Sequence, residues 1–221
     1  MAADAVLFDV DGTLIDSVDL HAKAWQEAFA HFGKRIGFEE VRSQIGKGGD
    51  QLLPVFFSQE ELALRGEAIE SYRSELYRRD YLKRIRAFPE VRELFQEISR
   101  RGIRIALASS AKGEDLRVYK EVAGVDDLLE TETSADDASR SKPNPDIFQA
   151  ALHRLGKVDA RRSFVVGDTP WDVIAATRSG LKTLGMLCGG FAEADLRAAG
   201  AVEIYRDPAD LLSRIDSSAL A

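Results

Sequence analysis

Asp9 and Asp11 close a run of apolar residues, and Gly12-Thr13 follows at once. Ala5 to Phe8 predict a strand covered on both faces, as in a parallel sheet. Aspartate is foreign to such a run, and Gly12 marks the turn at which the strand must break. Residues two apart on an extended chain point the same way, so the two carboxylates are expected side by side. Like charges that close repel, unless a cation lies between them or one carboxyl keeps its proton. The first outcome is a metal site; the second is a nucleophile beside a general acid. An acidic strand-to-turn junction is the plain alternative, since Asp-Gly is a common turn pair.

Further polar residues stand where apolar runs end. Val91, Leu94, Phe95 and Ile98 recur at helical spacing, Gly102 stops that helix, and the strand Ile103–Ala108 runs into Ser109-Ser110. Ser163–Val166 predicts a strand ending at Gly167-Asp168, and a helix over 171–179 stops at Gly180. Thr183–Leu187 and, more weakly, Ala201–Tyr205 read as further strands. A helix fits 145–155, with Pro145 in its first turn and Ile147, Phe148, Ala151, Leu152 and Leu155 on one face. Just before it, Ser141-Lys142-Pro143 offers a lysine. Alternation of short strands with helices of this length predicts an α/β fold built on a parallel sheet.

Residues 17–85 read differently. Leu20, Ala24, Trp25, Ala28 and Phe29 share one helical face, and a long helical stretch from about 59 to 82 carries Leu62, Ile69, Tyr72 and Leu76. No strand is predicted there, so the segment reads as an all-helical insertion large enough for a small domain. The glycine-rich loop Ile45-Gly46-Lys47-Gly48-Gly49-Asp50 lies inside it.

In open α/β sheets, ligands bind at the carboxyl edge of the strands, where Asp9, Asp11, Ser109 and Asp168 are expected. Several carboxylates, one lysine and one hydroxyl suit phosphoryl transfer to a carboxylate. An aspartate attacking a phosphate dianion needs a cation to offset repulsion, and hard oxygen ligands suit Mg²⁺. A lysine and a serine hydroxyl can hold the phosphoryl oxygens. A second carboxyl, kept protonated, can protonate the leaving oxygen and later activate water.

Four motifs in order carry a resemblance to a known family. Asp9-Val10-Asp11-Gly12-Thr13, Ser109, Lys142 before Pro143, and Gly167-Asp168-Thr169-Pro170-Trp171-Asp172 resemble the haloacid dehalogenase superfamily of phosphohydrolases across essentially the whole chain. The resemblance implies a Rossmann-like parallel core (1–16 and 86–221) with an inserted helical cap of the C1 type (17–85). It implies that Asp9 is the nucleophile forming an aspartyl-phosphate, and Asp11 the general acid and base. Ser109 and Lys142 would bind the phosphoryl group. Asp9, the Asp11 backbone carbonyl and Asp168 would hold Mg²⁺, with Asp172 supporting them from behind. Read from their positions, His21, Lys47 and Asp50 are the candidate cap residues for substrate contact, a structural histidine and plain surface charges being the alternatives, while Trp171 reads as packing.

The expected activity is that of a Mg²⁺-dependent phosphoric monoester hydrolase acting on a small phosphorylated metabolite. Phosphoglycolate, a hexose phosphate and a nucleotide monophosphate all stay open. A phosphosugar mutase similar to β-phosphoglucomutase is the runner-up. A mutase must grip a second phosphate, for which that enzyme's cap loop carries an arginine, and the loop here offers only Lys47. A non-enzymatic phosphate-binding regulator is a third reading, disfavoured because Asp9 and Asp11 are both present. Asp11-Gly12-Thr13 belongs to the phosphohydrolase pattern rather than to the dehalogenases.

Composition narrows the rest. A net charge of −7 over 221 residues argues against a broad nucleic-acid-binding face. The single cysteine, Cys188, excludes an internal disulfide and a cysteine-built zinc site, and reads as core packing. No apolar stretch approaches the roughly 20 residues of a membrane span, and no signal-peptide pattern opens the sequence. The cytoplasm, no membrane partner, and a monomer or weak homodimer are the expectations.

Overall fold

The computed structural model describes residues 3–221. Six strands form one parallel sheet: β1 (Ala5–Phe8), β4 (Arg104–Ala108), β5 (Thr131–Thr133), β6 (Ser163–Gly167), β7 (Lys182–Met186) and β8 (Glu203–Tyr205). Their order is β5-β4-β1-β6-β7-β8, with β1 central between β4 and β6. Two short strands, β2 (Ile15–Asp16) and β3 (Arg86–Ala87), pair antiparallel. Among the described residues the α-helices are α1 (Val18–His31), α2 (Phe38–Arg42), α3 (Gly49–Phe56), α4 (Gln59–Leu76), α5 (Val91–Arg100), α6 (Gly113–Ala123), α7 (Asp146–Leu155), α8 (Pro170–Arg178), α9 (Glu193–Ala199) and α10 (Pro208–Ser213). Among the described residues no helix is long and apolar enough to cross a membrane.

Alternation along the strands builds two cores. Val6 and Phe8 lie in register with Ile105 and Leu107 on one side and with Phe164 and Val166 on the other. That face packs on Val91, Leu94, Phe95 and Ile98 of α5, and on Leu116 and Tyr119 of α6. Ala5, Leu7, Ala106, Ala108 and Val165 face the opposite way, onto Ile147, Phe148 and Ala151 of α7 and Ala175 and Ala176 of α8. Burial on both faces is what permits continuous apolar strands. Because β4 and β6 flank β1, their crossovers leave in opposite directions, and the crevice at the carboxyl end of β1 is the expected ligand edge.

The helical segment has a core of its own. Val18, Ala22, Trp25 and Phe29 of α1 pack with Val41, Leu52, Leu53, Phe56 and Ile69. Ala24, Leu76, Tyr77 and Tyr81 instead join the sheet-side core, so α1 and the end of α4 belong to both. Ser58 caps α4 through a box with Glu61, and beyond Leu76 the helix loosens into a wider turn over Tyr77–Tyr81. The absence of strands within 17–85 holds, while β2 and β3 lie just outside it and tie the two ends of the insertion together. Each has two residues, too few for any periodicity to show.

Candidate active site

The carboxyl ends of β1 and β6 place Asp9 and Asp168 side by side, and the loop before α7 brings Lys142 between them and Asp172. Lys142 exposes 1% of its surface; its Nζ pairs with Asp9 Oδ1 and lies 2.7 Å from Asp172 Oδ1. Carboxylate oxygens of Asp9, Asp168 and Asp172 fall within 4.8 Å of one another, all buried. The Thr13 hydroxyl is 3.2 Å from Asp9 Oδ2 and 3.1 Å from Asp168 Oδ1, and its single proton serves one of them at a time. Asp172 also accepts from the Thr169 backbone amide and hydroxyl, closing a capping box at the start of α8.

Burial pushes the Asp9 carboxyl up to about 7, opposed by Lys142 and reinforced by Asp172. Asp168 is raised well above the ordinary carboxylate value by burial and by its two acidic neighbours. Burial works against the Lys142 ammonium, but Asp172 and Asp9 outweigh it and raise its pKa. One ammonium among three buried carboxylates leaves the cluster short of positive charge.

A hard divalent cation fits that shortage. Asp168 Oδ2 is buried with no hydrogen-bond partner, although such atoms are nearly always satisfied. Two glycines keep the space beside it clear: a Cβ at Gly12, where φ is +86°, would come within 2.3 Å of Oδ2, and one at Gly189 within 1.7 Å. The all-oxygen donor set matches Mg²⁺.

Asp11 departs from expectation. β1 ends at Phe8, the chain turns at Gly12, and the Asp11 carboxylate leaves the Asp9 cluster for another set of partners. Asp11 Oδ1 accepts from Ser17 Oγ at 2.6 Å and from His21 Nε2 at 2.8 Å. Arg73 Nη2 donates to His21 Nδ1 at 2.5 Å, which assigns the ring proton to Nε2. The Tyr119 hydroxyl lies 3.1 Å from the same nitrogen, and the His21 ring stacks on Tyr77. Burial and the Arg73 guanidinium hold His21 below its ordinary pKa, despite Asp11. Burial likewise opposes ionisation of Asp11, but His21, Ser17 and Arg73 prevail and keep its carboxyl low. The carboxyl expected to keep its proton is therefore held as the proton acceptor.

These groups open onto a cavity of about 330 Å³ between the sheet edge and the helical segment. Asp9, Asp11, His21, Lys47 and Asp50 all line it. Lys47 places its ammonium 3.9 Å over the Trp171 ring and donates to Gln44. Asp50 accepts from the Ser141 amide and hydroxyl, and the Gly48 amide donates to the same hydroxyl at 2.9 Å, so the glycine-rich loop is docked beside Lys142. Ser109 is fully buried and accepts from the Ala111 amide, whereas Ser110 lines the cavity. The Cys188 thiol, half-buried, meets the Gly12 carbonyl at 3.2 Å. Arg73 was not singled out in the sequence. Its signal was a place on the buried face of α4, four residues after Ile69 and four before Tyr77.

Removing the Lys142 charge tests the ionic cluster directly. Lys142→Met in metal-free buffer is expected to lower unfolding stability by roughly 3–5 kcal/mol, the usual result of stranding buried charges. Urea unfolding followed by circular dichroism reads this, and an unchanged midpoint would contradict the ion-pair assignment.

Residues 6–186 match the family described as haloacid dehalogenase-like hydrolase. The chain belongs to that family. It is 26% identical over 183 residues to the pyrophosphatase PpaX of Oceanobacillus iheyensis, covering 83% of each protein. It is 28% identical over 193 residues to a phosphoglycolate phosphatase of Aquifex aeolicus, covering 83% of this chain and 84% of that one. The crystal structure of a hydrolase from Pseudomonas syringae superposes with a TM-score of 0.89 at 29% identity, over 97% of this chain and 98% of the other. The protein is thus an enzyme, a phosphatase of the haloacid dehalogenase-like hydrolases, built on a Rossmann-like sheet with a helical cap.

Proposed function

We propose that the protein is a Mg²⁺-dependent phosphatase that hydrolyses a small phosphorylated metabolite through an aspartyl-phosphate on Asp9. The observation that carries this reading is the buried Asp9–Lys142–Asp168 cluster, whose Asp9 lines the cavity. Asp9 and Asp168, with the Asp11 backbone carbonyl, are the groups assigned to the ion; when bound it offsets the repulsion between an anionic nucleophile and a phosphate.

The chain's own groups then divide the work. Asp9 attacks phosphorus and the ester P–O bond breaks; Asp11, ionised in the free enzyme, takes up a solvent proton as substrate binds and hands it to the leaving oxygen. In the second half, water attacks the acyl-phosphate, Asp11 takes the water proton, and cleavage regenerates the Asp9 carboxylate and frees phosphate. His21, turned by Arg73 so that Nε2–H faces Asp11, orients that carboxylate. Lys142, held by Asp172, and Ser109 steady the transferred group. The cap is proposed as residues 17–85, hinged at the β2–β3 pair, and the docking of Asp50 on Ser141 corresponds to a closed arrangement that excludes water.

One observation favours the mutase reading more than the sequence did, since Arg73 supplies a guanidinium in the cavity from α4 rather than from the glycine-rich loop. Purified protein with Mg²⁺ is expected to release free phosphate from a simple monophosphate without a bisphosphate activator. A phosphorylated-metabolite panel read by phosphate release checks this, run beside an assay for conversion of β-glucose 1-phosphate to glucose 6-phosphate. Bisphosphate-dependent isomerisation well above the rate of hydrolysis would replace phosphatase by mutase.

A further inference from the structure

Arg73 lines the cavity, and its guanidinium has no ionic partner among the described residues. Among the described residues, its one hydrogen bond is to His21, a neutral acceptor, and no carboxylate pairs with its guanidinium. Its Nε is buried and unpartnered. Asp9 has Lys142, Asp11 has Ser17 and His21, and Asp115 has Arg78. Glu70, one turn earlier on α4, lies against Gly49 rather than on Arg73. The guanidinium is held in place between aromatic rings, 4.9 Å from the Trp25 centroid and 5.2 Å from that of Tyr77. A positioned arginine with donors to spare suits a planar or tetrahedral oxyanion.

We infer that Arg73 is a specificity residue which receives a second anionic group of the substrate, a carboxylate or a phosphate, a few bonds from the scissile phosphoryl group. The spacing follows from the chain Arg73–His21–Asp11, in which one imidazole ring separates the guanidinium from the carboxylate that serves the leaving oxygen. The substrate class is therefore a short phosphomonoester carrying a second negative charge, rather than a neutral sugar phosphate. This rests on the phosphatase reading above, and among the described residues the printed contacts of the guanidinium are the His21, Trp25 and Tyr77 rings, with no carboxylate paired to it.

Matched pairs test it. 2-Phosphoglycolate is compared with 2-hydroxyethyl phosphate, and propane-1,3-diol bisphosphate with 3-hydroxypropyl phosphate, so the two arms separate carboxylate from phosphate. The wild type is expected to prefer at least one anionic member by roughly 10- to 100-fold in kcat/KM, the scale of a hydrogen bond to a charged group. Arg73→Gln should bring the anionic-to-neutral ratio of kcat/KM to near one, mostly through KM, any loss shared by both members of a pair reporting the looser hold on His21. Arg73→Lys, which keeps the charge without the fork, should restore part of the ratio. Equal loss on both members of a pair, leaving the ratio unchanged, would overturn the inference, making Arg73 a support for His21 alone. A wild-type ratio near one in both pairs would overturn it too, whether or not the variants fold. Calorimetric binding of the same pairs to Asp9→Asn protein reads the preference without turnover. Anion-selective binding there, lost on adding Arg73→Gln, would uphold the inference even if no monoester were hydrolysed and the phosphatase reading failed.

Discussion

Asp9→Asn is expected to reduce turnover at least about 10⁴-fold, the scale seen when a covalent nucleophile is removed. An amide cannot form the acyl-phosphate, and no neighbouring carboxylate is free to substitute: Asp172 is tied to Lys142 and Thr169, and Asp11 to Ser17 and His21. The fold should tolerate the change. Lys142 keeps its pairing with Asp172, and one of three crowded carboxylates loses its charge. Phosphate release should therefore fall to background while the thermal midpoint stays within a few degrees, about the scale of 1 kcal/mol for a chain this size. Acid-quenched protein should carry label from a ³²P-labelled substrate in the wild type and none in the variant. Near-normal turnover by Asp9→Asn would remove the covalent mechanism.

Chelation is expected to abolish activity, and Mg²⁺ to restore it. Two buried carboxylates whose charged forms are disfavoured, one with an oxygen lacking any partner, need a cation to become a working pair. Ca²⁺ should restore little, because its larger and looser coordination shell displaces the nucleophile from its line of attack. Binding should show in stability as well as in rate: Mg²⁺ at about 100 times its dissociation constant adds roughly 2.7 kcal/mol to the folded state. That shift should be much smaller in Asp168→Asn. Full activity in excess chelator, or an equal Mg²⁺ shift in wild type and Asp168→Asn, would exclude the proposed metal site.

Much of this site was legible because each group ends or begins a locally patterned element. The apolar run before Asp9, the run before Ser109 and the run before Gly167-Asp168 each mark a strand end, and parallel strands bring their carboxyl ends to one edge. Lys142 was legible for a similar reason, standing just before a helix whose apolar face is plain. What stayed hidden was short or polar. β5 is Thr131-Glu132-Thr133, an edge strand without an apolar face, and β2 and β3 show no period at all. The helix α6 carries Leu116, Tyr119 and Ala123 on one face and is not among the elements the sequence predicts.

Sequence by itself determined the α/β class, the inserted helices and the residues able to handle phosphate, because periodicity and strand-end chemistry are local properties of the chain. Tertiary structure alone decided which of those residues meet. Asp9 and Asp11 are neighbours in sequence, yet one joins Lys142, 133 residues away, while the other turns to His21. The turn at Gly12 separates them, and packing of α1 and α4 against the sheet supplies their different partners. Arg73 shows the same physics from the other side. On a linear reading it is one more charge on a long polar helix, and only the closure of that helix over the sheet edge makes it a wall of the cavity.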